Sequence, residues 1–446
     1  MDDDSVDIFL KLGGPTLSKT IENNGIYLTH HLLSLTGEVT PQPIKVDNLY
    51  FMLVGEVYDY NKALPSDVYH VIDMYHKHGI NNFINQLNGE FLIIIYDTAN
   101  NIIHFFTDTW GTRQVWFEHW DNKFYFGSLP RTEIPGRFIG PAFYGIDNLV
   151  RLQANKHYVF GIKSQKLIIK NNEIYKWNLD QYKLSTDDFI AAFEQAVLRV
   201  VHPNMILNLS GGLDSGSIAI CLADHKIPFA SVNLQFTKAE DLEARDSILN
   251  YCKEYTECKI LYERMPITID QSKLKLIGLR NDGLYQTAEY AKSINKNVMI
   301  QGNGPDEFMT RIMPEKFTEL TPNEIEWPED LKEIFPFETW YDGRNRKFID
   351  KKETTMIHYG MEMRNPFFDK TVLQEWLNLD SQLKSNEKER KGVLRNYFRQ
   401  RGIKDPKKVA GADSQDMKTK NTFNQNYSVR LWKRILRFRN RNKLQK

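Results

Sequence analysis

The stretch "LNLSGGLDSGSIAICLADHK", residues 207–226, runs from an apolar segment through a Ser-Gly-Gly-Leu-Asp-Ser turn into a helix-like segment. That order suits a doubly wound α/β unit, in which ligands sit outside the carboxyl ends of strands, at helix N-termini. Gly211 and Gly212 permit tight backbone geometry and the close approach of an anion to amide N–H groups. The hydroxyls of Ser210 and Ser215 add donors. Asp214 is out of place beside an anion unless a cation lies between them. Magnesium pyrophosphate meets that requirement: amides hold phosphate oxygens and the carboxylate holds the metal. A plain turn using Gly, Ser and Asp for capping has the same spelling, and so short a motif does not separate the two.

Outward from this turn, strands and helices alternate. Thr186-Asp187-Asp188 reads as a cap on the helix "FIAAFEQAVLRVV". The strands "MILNL", "FASVNLQF", "CKILY" and "NVMIQ" are separated by the helices "SGSIAICLADH", "AEDLEARDSILNYCKEY" and "YQTAEYAKSIN". This is the pattern of βαβ units around a parallel sheet. Residues 1–180 read differently. "LYFMLVGEVYDY", "GEFLIIIYDTANNIIHFFTD", "QVWFEHWDNKFYFGS" and "KHYVFGIKSQKLIIKNNEIYKW" are aromatic and β-branched. Turn pairs at Asn100-Asn101, Asp121-Asn122 and Asn171-Asn172 punctuate them, and one helix, "SDVYHVIDMYHKHG", interrupts. An antiparallel domain over 1–180 and a parallel-sheet domain over 185–446 are therefore expected, as 446 residues exceed one ordinary core.

Composition narrows the class. Hydrophobic residues are 41%, charged residues 26%, and the net charge is +1, so bulk charge favours neither a nucleic-acid nor a membrane partner. Cys221, Cys252 and Cys258 have no metal-ligand spacing, and their odd number suits a reduced, cytoplasmic chain. The start "MDDDSVDIFL" is acidic where a secretion signal is basic. Apolar runs such as "FLIII" are far too short for a membrane span.

"SGGLDS" resembles the pyrophosphate loop of the asparagine synthetase family of ATP pyrophosphatases, and it lacks the Gly-Lys-Ser/Thr of a Walker A loop. "VMIQGNGPDEF", "TTMIHYGMEMRNPFFD" and "KGVLRNYF" resemble that family's later landmarks, in order. "GEVYDY", "LPSDVYHVIDMY" and "LNGEFLIIIYDTANNIIHFFTDTWGTRQVWF" resemble its glutaminase half. The resemblance implies an N-terminal glutaminase-like αββα domain of the Ntn type and a C-terminal doubly wound ATP-pyrophosphatase domain. It implies ATP and Mg2+, with a carboxylate attacking the α-phosphorus and an amine then displacing AMP from the acyl-adenylate. Ser210, Gly211, Gly212, Ser215 and Gly302 would hold the nucleotide's phosphates, and Asp214 and Asp306 the magnesium. Adenine would lie along the strand end at Val232 to Leu234, and Glu362 would orient or deprotonate the amine.

The chain also departs from that family. Residue 2 is Asp2 where the glutaminase nucleophile is a cysteine. Val54 stands where an Asn donates to the oxyanion, and Leu32 where an Arg grips the glutamine carboxylate. Asp67 keeps its place, though a cap on the helix after Ser66 would account for it. These losses imply a scaffold without glutaminase activity, as in β-lactam synthetases and lasso-peptide cyclases. In the second half Gln301, Asn303 and Pro305 replace Ser, Asp and Ala, and Lys352-Glu353 replaces an Asp-Arg pair. Ser414 falls where the family has an adenylation lysine, with Lys408 and Lys418 as the nearby substitutes. The tail 430–446 carries eight basic residues around Leu431, Trp432, Ile435, Leu436 and Phe438, which suits either a terminal helix packed by its apolar stripe with its charges solvated or a docking segment for a nucleic acid, an anionic leader peptide or a membrane surface. The expected partners are a small-molecule or peptide carboxylate and an amine, not nucleic acid, with a homodimer kept in view. An ammonia-dependent asparagine synthetase and a non-catalytic nucleotide-binding scaffold are the competing readings.

Overall fold

The computed structural model describes residues 3–120, 123–130, 149–235, 242–262, 283–309, 326–337, 339–341, 344–384 and 391–406. It opens with a helix that the strand-rich reading of residues 1–180 did not anticipate, α1 (Asp3–Gly13). Phe9 of α1 is buried and stacks on His358 of a much later helix. Next come the ribbon of β1 (Leu17–Asn23) and β2 (Ile26–Leu32), then β3 (Ile44–Val46), β4 (Leu49–Val57) and α2 (Asp67–His78). The antiparallel series continues through β5 (Gly89–Asp97), β6 (Ile102–Thr107), β7 (Trp116–Trp120), β8 (Lys123–Gly127), β9 (Leu149–Arg151), β10 (His157–Gly161) and β11 (Lys166–Asn171).

A six-stranded sheet of order β11-β10-β6-β5-β4-β3 is the centre of this first part. Its central strands read as continuous apolar runs because both faces are covered. Phe51, Leu53, Phe91, Ile93 and Ile95 pack on one face with Val68, Val71 and Ile72 of α2. Leu92 and Tyr96, from the alternate positions, pack on the other with Ile26, Val115 and Leu152 of the smaller sheets. The β5–β6 turn runs through Asn101 at φ 56, and Asn100 donates to Asp97. Asn171 ends β11, and 121–122 lie outside the described residues.

The second part begins with α3 (Asp187–Arg199), whose first amide is bonded by Ser185 Oγ instead of the expected Thr186. It continues through β12 (Met205–Asn208), α4 (Leu213–Asp224), β13 (Ala230–Gln235), α5 (Leu242–Cys252) and β14 (Cys258–Tyr262). Then follow α6 (Leu284–Ser293), β15 (Val298–Ile300), α7 (Pro305–Phe308), α8 (Arg344–Tyr359), β16 (Glu362–Arg364), α9 (Lys370–Asn378) and α10 (Gly392–Arg399). The sheet order is β14-β13-β12-β15-β16, every neighbouring pair parallel. The fold class is therefore mixed α/β, antiparallel sheets first and a parallel sheet after. None of the helices among the described residues is long and apolar enough to cross a membrane.

The two parts are locked together by buried polar contacts. Arg151 forms a bidentate pair with Asp350 at 2.7 Å, both side chains 3% exposed. Gln114 donates its amide to Glu353, and Asn365 donates its side-chain amide to Glu90.

Candidate active site

The turn after β12 is closed by its own hydroxyls. Ser210 donates its amide to Ser215 Oγ at 2.9 Å, the two hydroxyls lie 3.0 Å apart, and the Gly212 amide reaches Ser210 Oγ at 3.2 Å. Gly212 precedes α4 in extended geometry, and no side chain caps the helix. The first amides of α4 are thus presented at the carboxyl end of a parallel sheet, where an anion is stabilised by aligned peptide dipoles. Neither Gly211 nor Gly212 has a positive φ, so their value lies in the space they leave.

The loop 301–304 lies against this helix start. A Cβ on Gly302 would come within 2.7 Å of the Ser215 amide nitrogen and 3.0 Å of Asp214, so only glycine permits the approach. Asp306 follows in α7, anchored by Glu307, whose carboxylate accepts the Gly304 amide at 2.8 Å. Burial, with Asp306 adjacent, raises Glu307 to about 7.

Lys391, directly before α10, joins Asp214 to Asp306. Its Nζ donates to both Asp214 oxygens at 2.8 Å and lies 2.6 Å from Asp306 Oδ1. Burial opposes its charge, but the two carboxylates outweigh that and hold its pKa above the ordinary lysine value. The residue was visible as the first letter of "KGVLRNYF"; its pairing across 177 positions was not.

Among the described residues no three His, Cys, Asp or Glu side chains cluster as a ready-made metal cage. Asp214 and Asp306 nevertheless fit magnesium: they are close enough to share one cation, here an ammonium, and Mg2+ is typically held by one or two carboxylates plus substrate phosphates.

At the strand end expected to receive adenine, Val232 spends its carbonyl on the Leu209 amide and its side chain is fully buried. β13 extends past the last β12 pair, Asn208↔Val232. By the two-residue alternation of a strand, Leu234 turns its backbone groups toward the side that β12 has vacated. Lys408 and Lys418, and the tail 430–446, lie outside the described residues.

Glu362 is not brought to this loop. It is the first residue of β16, in register with Val298, which is in register with Met205 at the amino end of β12. Ser210 is five residues further along, roughly 15 Å at the rise of an extended strand. Glu362 is instead paired with Arg364 at 2.6 Å and lies 3.9 Å from Arg113 of the first part. Lys352, at the expected Asp-Arg position, donates to Asn303 at 2.6 Å, and Asn303 donates to Asn365.

Glu362 lines a cavity of about 840 Å3 that lies mainly in the first part. Leu32, Val54, Glu56 and Asp67 line it too, and Ser210, Asp214 and Asp306 do not. Asp67 accepts the Val57 amide at 3.0 Å as well as neighbouring its own helix start, so it ties α2 to β4 beyond capping. The cysteines stand elsewhere: Cys221 and Cys252 are buried in α4 and α5, and burial pushes Cys252 up to about 12.

Comparison with known proteins agrees with this arrangement. A family profile described as "Glutamine amidotransferase domain" matches residues 38–132, and one described as "Asparagine synthase" matches residues 337–410. The asparagine synthetase [glutamine-hydrolyzing] of Mesocricetus auratus is 24% identical over 400 residues, covering 77% of this chain and 67% of that protein. A putative asparagine synthetase [glutamine-hydrolyzing] of Methanocaldococcus jannaschii is 22% identical over 404 residues, covering 81% and 70%. The chain resembles the asparagine synthetase family in both of its parts. Among solved structures, the glutamine phosphoribosylpyrophosphate amidotransferase of B. subtilis aligns at a TM-score of 0.23 and 10% identity, covering 60% of this chain and 65% of that one, too weak a likeness for any argument. Within the asparagine synthetase family frame, the two matched segments fall on the two regions just described: the cavity with Val54 and Asp67, and the Glu362–Lys391 stretch.

Proposed function

We propose that the chain is an ATP-dependent, AMP-forming carbon–nitrogen ligase, with a second domain from about residue 185 that carries the chemistry. The observation that carries this is the Asp214–Lys391–Asp306 triad at the mouth of a glycine turn and a helix N-terminus without a side-chain cap. A carboxylate oxygen of the substrate attacks the α-phosphorus, the α–β P–O bond breaks and pyrophosphate leaves. The amine nitrogen then attacks the acyl carbon, the C–O bond to AMP breaks and the amine loses a proton. Ser210, Gly211, Gly212 and Ser215 hold the pyrophosphate, and Gly302 keeps the second loop against them. Leu234 offers backbone groups to adenine. Asp214 and Asp306 would hold magnesium, which supplies charge neutralisation on the leaving oxygens. Lys391, beside the same two carboxylates, would supply a cation for phosphate.

The first domain, over about 1–180, serves as a glutaminase-like scaffold that does not hydrolyse glutamine. Val54 has no donor for an oxyanion, and Leu32 has no charge for a carboxylate. Glu362 stands where the cavity meets the parallel sheet, so its role is toward the amine and not the nucleotide.

Incubating the protein with ATP, Mg2+ and a small-molecule extract, with mass spectrometry for a product lighter than acid plus amine by one water, tests the reading. Asparagine formed from aspartate and ammonium would favour the narrower activity of the named relatives. Nucleotide binding without any turnover would leave a scaffold only.

A further inference from the structure

The cavity of the first part is far larger than an ammonia molecule needs. At about 840 Å3 it is of the size that holds whole small-molecule ligands. Much of its wall is apolar: Leu92, Ile94, Phe105, Val115, Phe124 and Phe126 line it.

Its inner end is charged, and the charges do not balance. Glu56, Asp67, Glu353 and Glu362 line it, against the guanidiniums of Arg113, in the wall, and Arg364, directly behind. Arg113 is further committed to the backbone oxygens of Glu90 and Met363. Arg364 is shared between Glu362 at 2.6 Å and Glu56 at 3.5 Å. Lys62 neighbours Glu56 and Asp67 as a third cation, and Arg151 beside Glu353 is taken by Asp350, so four carboxyls answer to three cations. Burial first, and neighbouring carboxylates after it, raise Asp67 to about 6 and Glu353 to about 7, and Glu56 lies well above its ordinary value.

Two buried polar atoms on the wall also lack partners. Ser66 Oγ, on a residue 3% exposed, and His30 Nδ1, on one 8% exposed, make no hydrogen bond. Buried polar groups are normally satisfied, and both of these residues line the cavity.

We infer that this cavity binds a primary ammonium carrying an apolar body, its nitrogen at the Glu56–Asp67–Glu362 end and its chain or ring along the Leu92–Phe105–Phe126 wall. The ammonium supplies the missing positive charge, and its N–H groups meet carboxylates that the protein's own arginines do not saturate. A ligand bearing a carboxylate is disfavoured: Leu32 contributes no cation, and both guanidiniums are taken. This rests on the ligase reading in one respect only, that the bound amine is the acceptor the second part consumes.

Calorimetric titration of the full chain with 2-phenylethylamine, 3-phenylpropionate, phenylalanine and glutamine tests it without any substitution. The amine should bind at least ~10-fold tighter than the other three, the scale of one charge-assisted hydrogen bond. Asp67→Asn should weaken amine binding by a similar factor; Glu56→Gln is the less clean variant, because it leaves Arg364 short of a partner. Equal or tighter binding of phenylalanine, glutamine or the acid, or no binding of the amine, would overturn the inference. The binding measurement does not depend on ATP. Amine binding without AMP formation would contradict the ligase reading alone, and AMP formation without amine binding would contradict this one alone.

Discussion

Asp214 and Lys391 carry the most at the scale of single residues. Asp214→Ala should lower pyrophosphate release by at least ~10²-fold, the effect of removing one main transition-state stabiliser, with the fold retained because Asp214 is in the first turn of α4 and Lys391 keeps Asp306 as a partner. Unchanged release would remove Asp214 from the site. Lys391→Ala leaves two carboxylates facing each other, which should destabilise the metal-free protein by about 1–3 kcal/mol, below the cost of breaking a fully buried pair because Asp306 is 48% exposed. Millimolar Mg2+ should restore part of that loss in thermal scans of the variant, and raise the wild type less. Glu362→Gln should lower stability, since Arg364 loses its closest partner, yet keep ATP–pyrophosphate exchange when assayed well below the melting temperature, while amide product disappears. Loss of exchange and product together would make Glu362 purely structural. The turn from Ser210 to Ser215 was legible in the sequence because local spacing sets it. Lys391 was not, because its partners lie on α4 and α7 and only folding brings them together.

Elements were legible in proportion to their periodicity. The helix at 66–79, the strands β4, β5, β6, β10 and β11 and the alternation from α3 to β15 form where the pattern puts them. The reading passed over α1 and the β1–β2 ribbon, the three-residue strands β3, β9 and β16, too short to show a period, and α8, which is polar along much of its length and is buried against both parts through Asp350, Glu353 and Thr354. Two glycines report on how elements meet. Gly216 lies where α4 crosses α5 and α10; a Cβ there would stand 2.7 Å from Phe398 and 2.8 Å from Ile248, both fully buried. Gly216→Val should cost about 1–3 kcal/mol of stability by overpacking, read from denaturant unfolding. Gly302→Ala acts differently, since it meets backbone at Ser215 and must displace the loop. It should leave the melting temperature within a few degrees and weaken ATP binding; intact ATP affinity would mean the loop 301–304 is not part of the nucleotide site.

Across the whole molecule, the buried acids give stability an unusual pH slope. Asp67 is raised to about 6, and Glu307 and Glu353 to about 7, chiefly by burial. Between about pH 4 and pH 7 the folded chain holds protons on these carboxyls that the unfolded chain has released, so their contribution to stability falls as pH rises through that window. Buried His30 and His157, held down to about 4 and about 3, contribute in the opposite sense up to about pH 6.5. Removing one acid isolates its share: Glu353→Gln should raise the melting temperature at pH 8 relative to that at pH 5, compared with wild type; an unchanged difference would mean this carboxyl is ionised without penalty. The same excess of acid links the two parts, since Glu353 spans from α8 to Gln114 and Glu362 from β16 toward Arg113. No local pattern encodes a cavity assembled this way, which is why the sequence shows a glutaminase-like half and its missing groups but not the volume they leave. The central claim, that this chain cleaves ATP between the α- and β-phosphates to form an amide, is tested most directly by the nucleotide products. With ATP, Mg2+ and a small-molecule extract, wild type should yield AMP and pyrophosphate in equal amounts and Asp214→Ala should not. ADP with phosphate, or the same products from both proteins, would contradict it.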